Sequence, residues 1–180
     1  MTLDTFDDLV VEAEEIETRP DSRAIEETLL VGLLDPAAAA RILEKTTAKD
    51  YEFDKHRELA AILYPMASEG RHIDAVTFRA ALAAKVGENF DDDALLVQDL
   101  ARDVMATAAT TPPAPGKVLA YLDIFAAQAR LRQAKHMVEK TTKALEEGKK
   151  TPEAAAGDVL KIVADLEATQ RLAGVAKTEG

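Results

Sequence analysis

From Lys117 to Glu147 the chain runs for 31 residues without a glycine or a proline, directly after Pro112, Pro113, Pro115 and Gly116. Three prolines in four positions cannot continue a helix, whereas the run that follows is rich in Ala, Leu, Gln, Lys and Glu and has no reason to break. As a helix it would be about 46 Å long at 1.5 Å per residue. Its first half has an apolar face at Val118, Leu122, Phe125 and Ala129, suited to docking on preceding helices. Its second half has a different seam, with Ile124, Leu131, Val138 and Leu145 repeating every seven residues and Ala127, Ala134 and Thr141 three residues further on. That pattern belongs to closely packed helix pairs. Gly148-Lys149-Lys150 reads as a tight turn. Thr151-Pro152 starts a returning helix with Ala155, Val159, Ile162, Leu166 and Thr169 in line. The expected result is an antiparallel helical hairpin over 117–173, with a short polar end at 174–180.

Upstream, the same helical spacing recurs in shorter pieces. Asp21 or Ser22 can cap a helix carrying Ile25, Leu29 and Leu33, and Asp35-Pro36 starts the next, with Ile42 and Leu43 facing inward. Asp54 is expected to cap a helix through Leu59, Ile62, Leu63 and Met66 that ends at Gly70, with a kink or early loosening at Pro65. Asp74 caps another with Phe78, Leu82 and Val86 inward and Gly87 as its stop. Asp91, Asp92 and Asp93, alongside Glu88, precede a helix with Leu96, Leu100 and Val104 on one face, where the helix dipole favours acids. Tyr51 and Phe53 are expected to pack over helix ends. The whole reads as all-α: a compact helical subdomain over 21–111, a proline-rich break at 112–116, then the hairpin.

The net charge of −11 constrains partners. Seven of those negative charges lie in Met1–Thr18, which has no basic residue. The acidic tail, 1–20, reads as a solvated segment, although Leu3, Phe6, Val10 and Ala13 share one helical face. A polyanion should be repelled, so duplex DNA binding is expected to be weak or nil. The hairpin, with ten basic and eight acidic residues, is the least acidic part. Arg132, Lys135, Lys140 and Lys143 form a basic strip there and are the candidate partner-binding residues. The candidate oligomer interface is Ile124, Leu131, Val138, Leu145, Val159, Ile162 and Leu166, because a two-helix hairpin cannot cover both of its own faces. Without cysteine there are no disulfides or thiolate metal sites. No apolar run reaches membrane-spanning length, and a cytoplasmic location is expected.

Several of these segments, taken in order, carry a likeness. Ile25 to Leu34, Asp50-Tyr51, His56-Arg57, Gly70, Ile73-Asp74, Thr77 and Leu82 follow one another at a spacing that resembles the N-terminal domain of the DnaB-family hexameric replicative DNA helicases. Arg130-Leu131-Arg132 resembles the Arg-apolar-Arg turn of that family's hairpin. The resemblance spans roughly 22–172. It implies a collar-type domain whose hairpins pair into dimers, assemble into a higher ring and receive primase.

The helicase motor's Gly-Lys-Ser/Thr phosphate loop is absent from this chain. No nucleophile elbow stands around Ser22 or Ser68, and His56, His72 and His136 have no metal-ligand spacing; each reads as a surface or capping group. No enzyme, cofactor, metal or catalytic residue is therefore expected. The functional expectation is a non-catalytic interaction module of DNA replication that self-associates, as a dimer or a higher ring, and binds primase or the replicative helicase. The alternative is a helical adaptor or regulator, phage-encoded and acting on the host helicase or primase, with no direct part in unwinding.

Overall fold

The computed structural model describes residues 21–87 and 90–175, and among them it contains seven α-helices, one short 3₁₀ turn and no strand. The protein is all-α. The acidic tail, Glu88 and the last five residues lie outside the described residues. The helices are α1 (Ser22–Gly32), α2 (Pro36–Lys45), α3 (Asp54–Ser68), α4 (Ala75–Val86), α5 (Asp92–Thr110), α6 (Pro115–Glu146) and α7 (Pro152–Val175). Two compact units divide within α6: Met1–Phe125 and Ala126–Gly180.

Most helix ends in the first unit are set by residues within three positions. Asp21 accepts from Arg23 N, Asp35 from Ala38 N at 2.8 Å, and Asp91 from Ala94 N at 2.8 Å. Asp74 accepts from Val76 N and Thr77 N, while Thr77 Oγ1 accepts from Asp74 N at 3.0 Å, which closes a capping box. These bonds, Thr77 N foremost, hold the Asp74 carboxyl below its ordinary range. Gly70 and Gly87 take φ values of 65° and 90°, where a Cβ would be strained.

Asp54 departs from expectation. Phe53 occupies the N-cap of α3 and makes no side-chain cap, while Asp54 is the first helical residue and accepts from Arg57 Nη1 at 2.9 Å. Helix α3 runs through Pro65 to Ser68, whose hydroxyl donates to the Pro65 carbonyl at 2.9 Å.

The core of this unit gathers Ile25 and Leu29 from α1 and Leu33 at its C-cap, Leu59 and Leu63 from α3, and Phe78 and Leu82 from α4. At about 2 kcal/mol per fully buried large apolar side chain, this cluster is the main stabilising term. Val86 is exposed and takes no part. Helix α5 is rotated from the expected face: Ala94, Val97, Ala101 and Val104 are buried, while Leu96 is 54% exposed. Small Ala residues on the inner line suit close packing against α1, α3 and α4, all of which α5 contacts. Val118, Leu122 and Phe125 of α6 complete the core, and the Phe125 ring lies 4.9 Å from that of Tyr51. Gly32 makes that possible, since a Cβ there would stand 3.0 Å from both Ile42 Cδ1 and Val118 Cγ1.

Candidate functional site

The second unit is built from the rest of α6, a turn and α7. Gly148 (φ 68°) stands just past the end of α6, with Gly148 N donating to Leu145 O at 3.0 Å and Lys149 N to Ala144 O at 2.8 Å. Thr151 Oγ1 then accepts from Ala154 N and Pro152 opens α7. Lys150 pairs with Asp158, tying the turn to the second turn of α7. Thr169 belongs to α7, but its side chain lies outside the described residues.

In this unit Ala134 and Thr141 are buried on α6, and Ala155 and Ile162 on α7, each pair seven residues apart. Of the small residues expected on the α6 line, Ala134 and Thr141 are therefore buried, whereas Ala127 is exposed. The larger residues of the expected interface sit beside this line. Leu131 is 63% exposed and Leu145 exposed, while Val138, Val159 and Leu166 are half-buried. Ile162 is already covered within the single chain. Ile124, in the first unit, is exposed. Met137, Leu160 and Val163 add exposed apolar surface that the heptad count missed; Leu160, at 69%, is the most open. An i, i+3 reading of α7 from Leu160 would have found the last two.

Lys135, Lys140 and Lys143 are exposed, and Lys143 Nζ lies 4.0 Å from Glu147 Oε1. Arg132 is half-buried. At 100° per residue these four fall on the side of α6 away from Ala134 and Thr141, so basic strip and buried line are opposite faces of one helix. Three surfaces result: a covered seam, an apolar row flanking it, and a cationic back.

A buried polar pair in the first unit escaped the sequence reading. Glu26 and His56 are 1% and 2% exposed, and His56 Nδ1 lies 2.8 Å from Glu26 Oε2. Glu26 Oε1 also accepts from Glu52 N at 2.6 Å. A carboxylate on α1 thus holds the stretch of chain that leads into α3. His56 is consequently a core residue rather than a surface group, a correction whose cause is this carboxylate partner. Arg57 reinforces the same junction by donating to the carbonyls of Tyr51 and Glu52. The arrangement ties α1 to the start of α3, and His56 Nε2 also lies 3.9 Å from a second α1 carboxylate, Glu27 Oε1. His72 is exposed, 3.6 Å from Asp74 Oδ2, and His136 is exposed.

Close by, Tyr64 and Thr46 share a 2.7 Å hydrogen bond, while the fully buried Tyr51 hydroxyl has no hydrogen-bond partner of good geometry. Burial, and next the neighbouring Tyr64, push the Tyr51 phenol well above its ordinary pKa. Tyr51 packs in the core, whereas Phe53, the N-cap residue of α3, is exposed with its ring 5.3 Å from the His56 ring.

Two shallow grooves of about 420 and 460 Å³ flank the Pro112-Pro113 segment in the first unit. Among the described residues, no group of three or more His, Asp or Glu side chains could hold a metal ion, and no helix is long and apolar enough to cross a membrane. No protein-family model matches the chain, and no curated protein does.

Proposed function

We propose that this protein is a non-catalytic protein-interaction module of DNA replication, which self-associates through the apolar row on α6 and α7 and offers the cationic face of α6 to primase or the replicative helicase. The observation that carries the reading is the division of one helix into a buried seam, an exposed apolar row at Leu131 and Leu145, and a basic strip at Lys135, Lys140 and Lys143. Exposed leucines beside a filled seam are surface that a second copy can cover. A cationic strip on an otherwise acidic protein gives an acidic partner surface its orientation and raises the encounter rate. The ordered likeness to the replicative helicase N-terminal domain supplies the choice of partners. With no phosphate loop, the chain binds rather than hydrolyses.

Fluorescence anisotropy of the full-length labelled protein, titrated with purified replicative helicase and separately with primase, tests this. The wild type should bind one of them, and Lys135→Glu with Lys140→Glu should weaken binding at least about tenfold, or about 1.4 kcal/mol. Binding to neither protein, or unchanged affinity in the double variant, would refute the proposal.

A further inference from the structure

Helix α4 turns Phe78 and Leu82 into the core of the first unit, and at about 100° per residue its opposite side carries Val76, Ala80, Ala83 and Ala84. Arg79 and Thr77 stand at the edges of that side, with no polar side chain between them. Val76 is 78% exposed, Ala80 and Ala84 are exposed, and Ala83 is half-buried. The other helices lying wholly within this unit all show charge to water, with Arg23 on α1, Glu44 on α2, Glu58 on α3 and Asp99 on α5 exposed. A helix that is apolar on its outer side as well as its inner one is ordinarily a buried helix.

The second unit holds a row of complementary shape. Ala156, Leu160 and Val163 of α7 are all exposed, Leu160 by 69%, beside the covered line through Ala155 and Ile162. Val76, Ala80 and Ala83 are spaced by four and then three residues, and so are Ala156, Leu160 and Val163. Each set is therefore one stripe along its helix, and the stripes match in length at about 10 Å. Leu160 and Val163 project from α7, while Ala80 and Ala83 leave α4 the shallow surface into which such side chains pack.

We propose that the α7 row of one copy of this chain packs on the outer side of α4 of a second copy. The inference rests on the self-association proposed above and names the surface that covers the α7 part of the apolar row. Charge decides against the two simpler pairings. The charged residues of Ala75–Val86 are Arg79 and Lys85, both basic, whereas Pro152–Val175 carries Glu153, Asp158, Asp165 and Glu167 against Lys161 and Arg171. Helix α4 on α4 would set base against base, and α7 on α7 would set a net negative helix against itself. Helix α4 on α7 joins opposite charges. Repeated about a two-fold axis, this contact closes a dimer to which each copy gives one α4 and one α7.

The chain has no cysteine, so single cysteines report proximity in the full-length protein. A disulfide needs Cα atoms within about 7 Å of each other. Ala80→Cys bearing an affinity tag and untagged Leu160→Cys, mixed at tens of micromolar and mildly oxidised, should give chiefly the mixed disulfide, with far less crosslinking in either protein alone. Lys161→Cys, on a different side of α7, should be a poor substitute for Leu160→Cys. Independently, Ala80→Glu should weaken self-association at least about tenfold, because it buries a charge in the contact, with an unaltered circular dichroism spectrum, because Ala80 is exposed in the single chain. A mixed disulfide no more abundant than with Lys161→Cys would overturn the proposal. Leu160→Cys that crosslinks to itself, with Ala80→Glu associating like the wild type, would overturn it too and leave self-association through the row standing. A wild type that stays monomeric would overturn both.

Discussion

Replacing Glu26 by alanine removes a buried carboxylate that holds the start of α3 to α1. The carboxylate accepts from His56 Nδ1 at 2.8 Å and from Glu52 N at 2.6 Å, and neither Glu26 nor His56 has meaningful access to water. Leaving the His56 nitrogen unsatisfied costs about 1–3 kcal/mol, and the partly exposed backbone N–H adds about 1 kcal/mol because water can replace part of its bond. The expected loss is about 2–4 kcal/mol, or roughly 5–15 °C in Tm for a protein of this size. His56→Ala should cost about 3–5 kcal/mol, since it strands a buried carboxylate. Glu26→Leu with His56→Leu should recover most of either loss, because the buried carboxylate and imidazole are removed together and only the partly exposed Glu52 N–H, which water can reach, loses its acceptor. Urea unfolding followed by circular dichroism measures all three. The reasoning is refuted if Glu26→Ala costs under about 0.5 kcal/mol, or if the double leucine variant is no more stable than the sum of single losses implies.

Tyr51→Phe should raise stability by about 1 kcal/mol in the same assay, because it deletes a buried hydroxyl without a good partner. Gly32→Val should lower it by at least about 2 kcal/mol, since even a Cβ would stand 3.0 Å from Ile42 and Val118 and the extra methyls must displace one of them. Asp74 has a folded-state pKa below its unfolded value of about 4, so its contribution is complete above that pH and lost as pH falls through the folded value. Asp74→Asn should flatten the acid limb of the stability profile, and an unchanged slope would contradict the cap.

How legible the fold was depended on sequence distance. The caps at Asp21, Asp35, Asp74 and Asp91 and the left-handed stops at Gly70, Gly87 and Gly148 could be read directly, because each bond or dihedral is decided within about four residues. Asp54 was misread because the helix starts one residue earlier, with Phe53 at the N-cap, and the Asp54 carboxylate pairs with Arg57 instead. A partner 30 positions away, Glu26, turned His56 from a surface residue into a core one. The face of α5 was ambiguous locally, since Leu95, Leu96, Val97 and Leu100 offer apolar residues all round, and only packing of Ala94 and Ala101 against neighbouring helices chose between them. For the candidate interface, the seven-residue period located the buried line through Ala134 and Thr141. It did not reveal which large residues remain outside, because that depends on how closely small residues let neighbouring chain approach.

Sedimentation equilibrium of the wild type and of Leu131→Asp, from low to tens of micromolar, tests the central claim that the apolar row on α6 and α7 is an interface. Leu131 is 63% exposed in the single chain, so the aspartate should leave helicity and Tm nearly unchanged. In a self-associated pair it would be buried without a partner, at a cost of several kcal/mol, on the order of 3. The account predicts a wild-type dimer and a monomeric variant of equal helicity. A wild type that stays monomeric across the range, indistinguishable from Leu131→Asp, would contradict it.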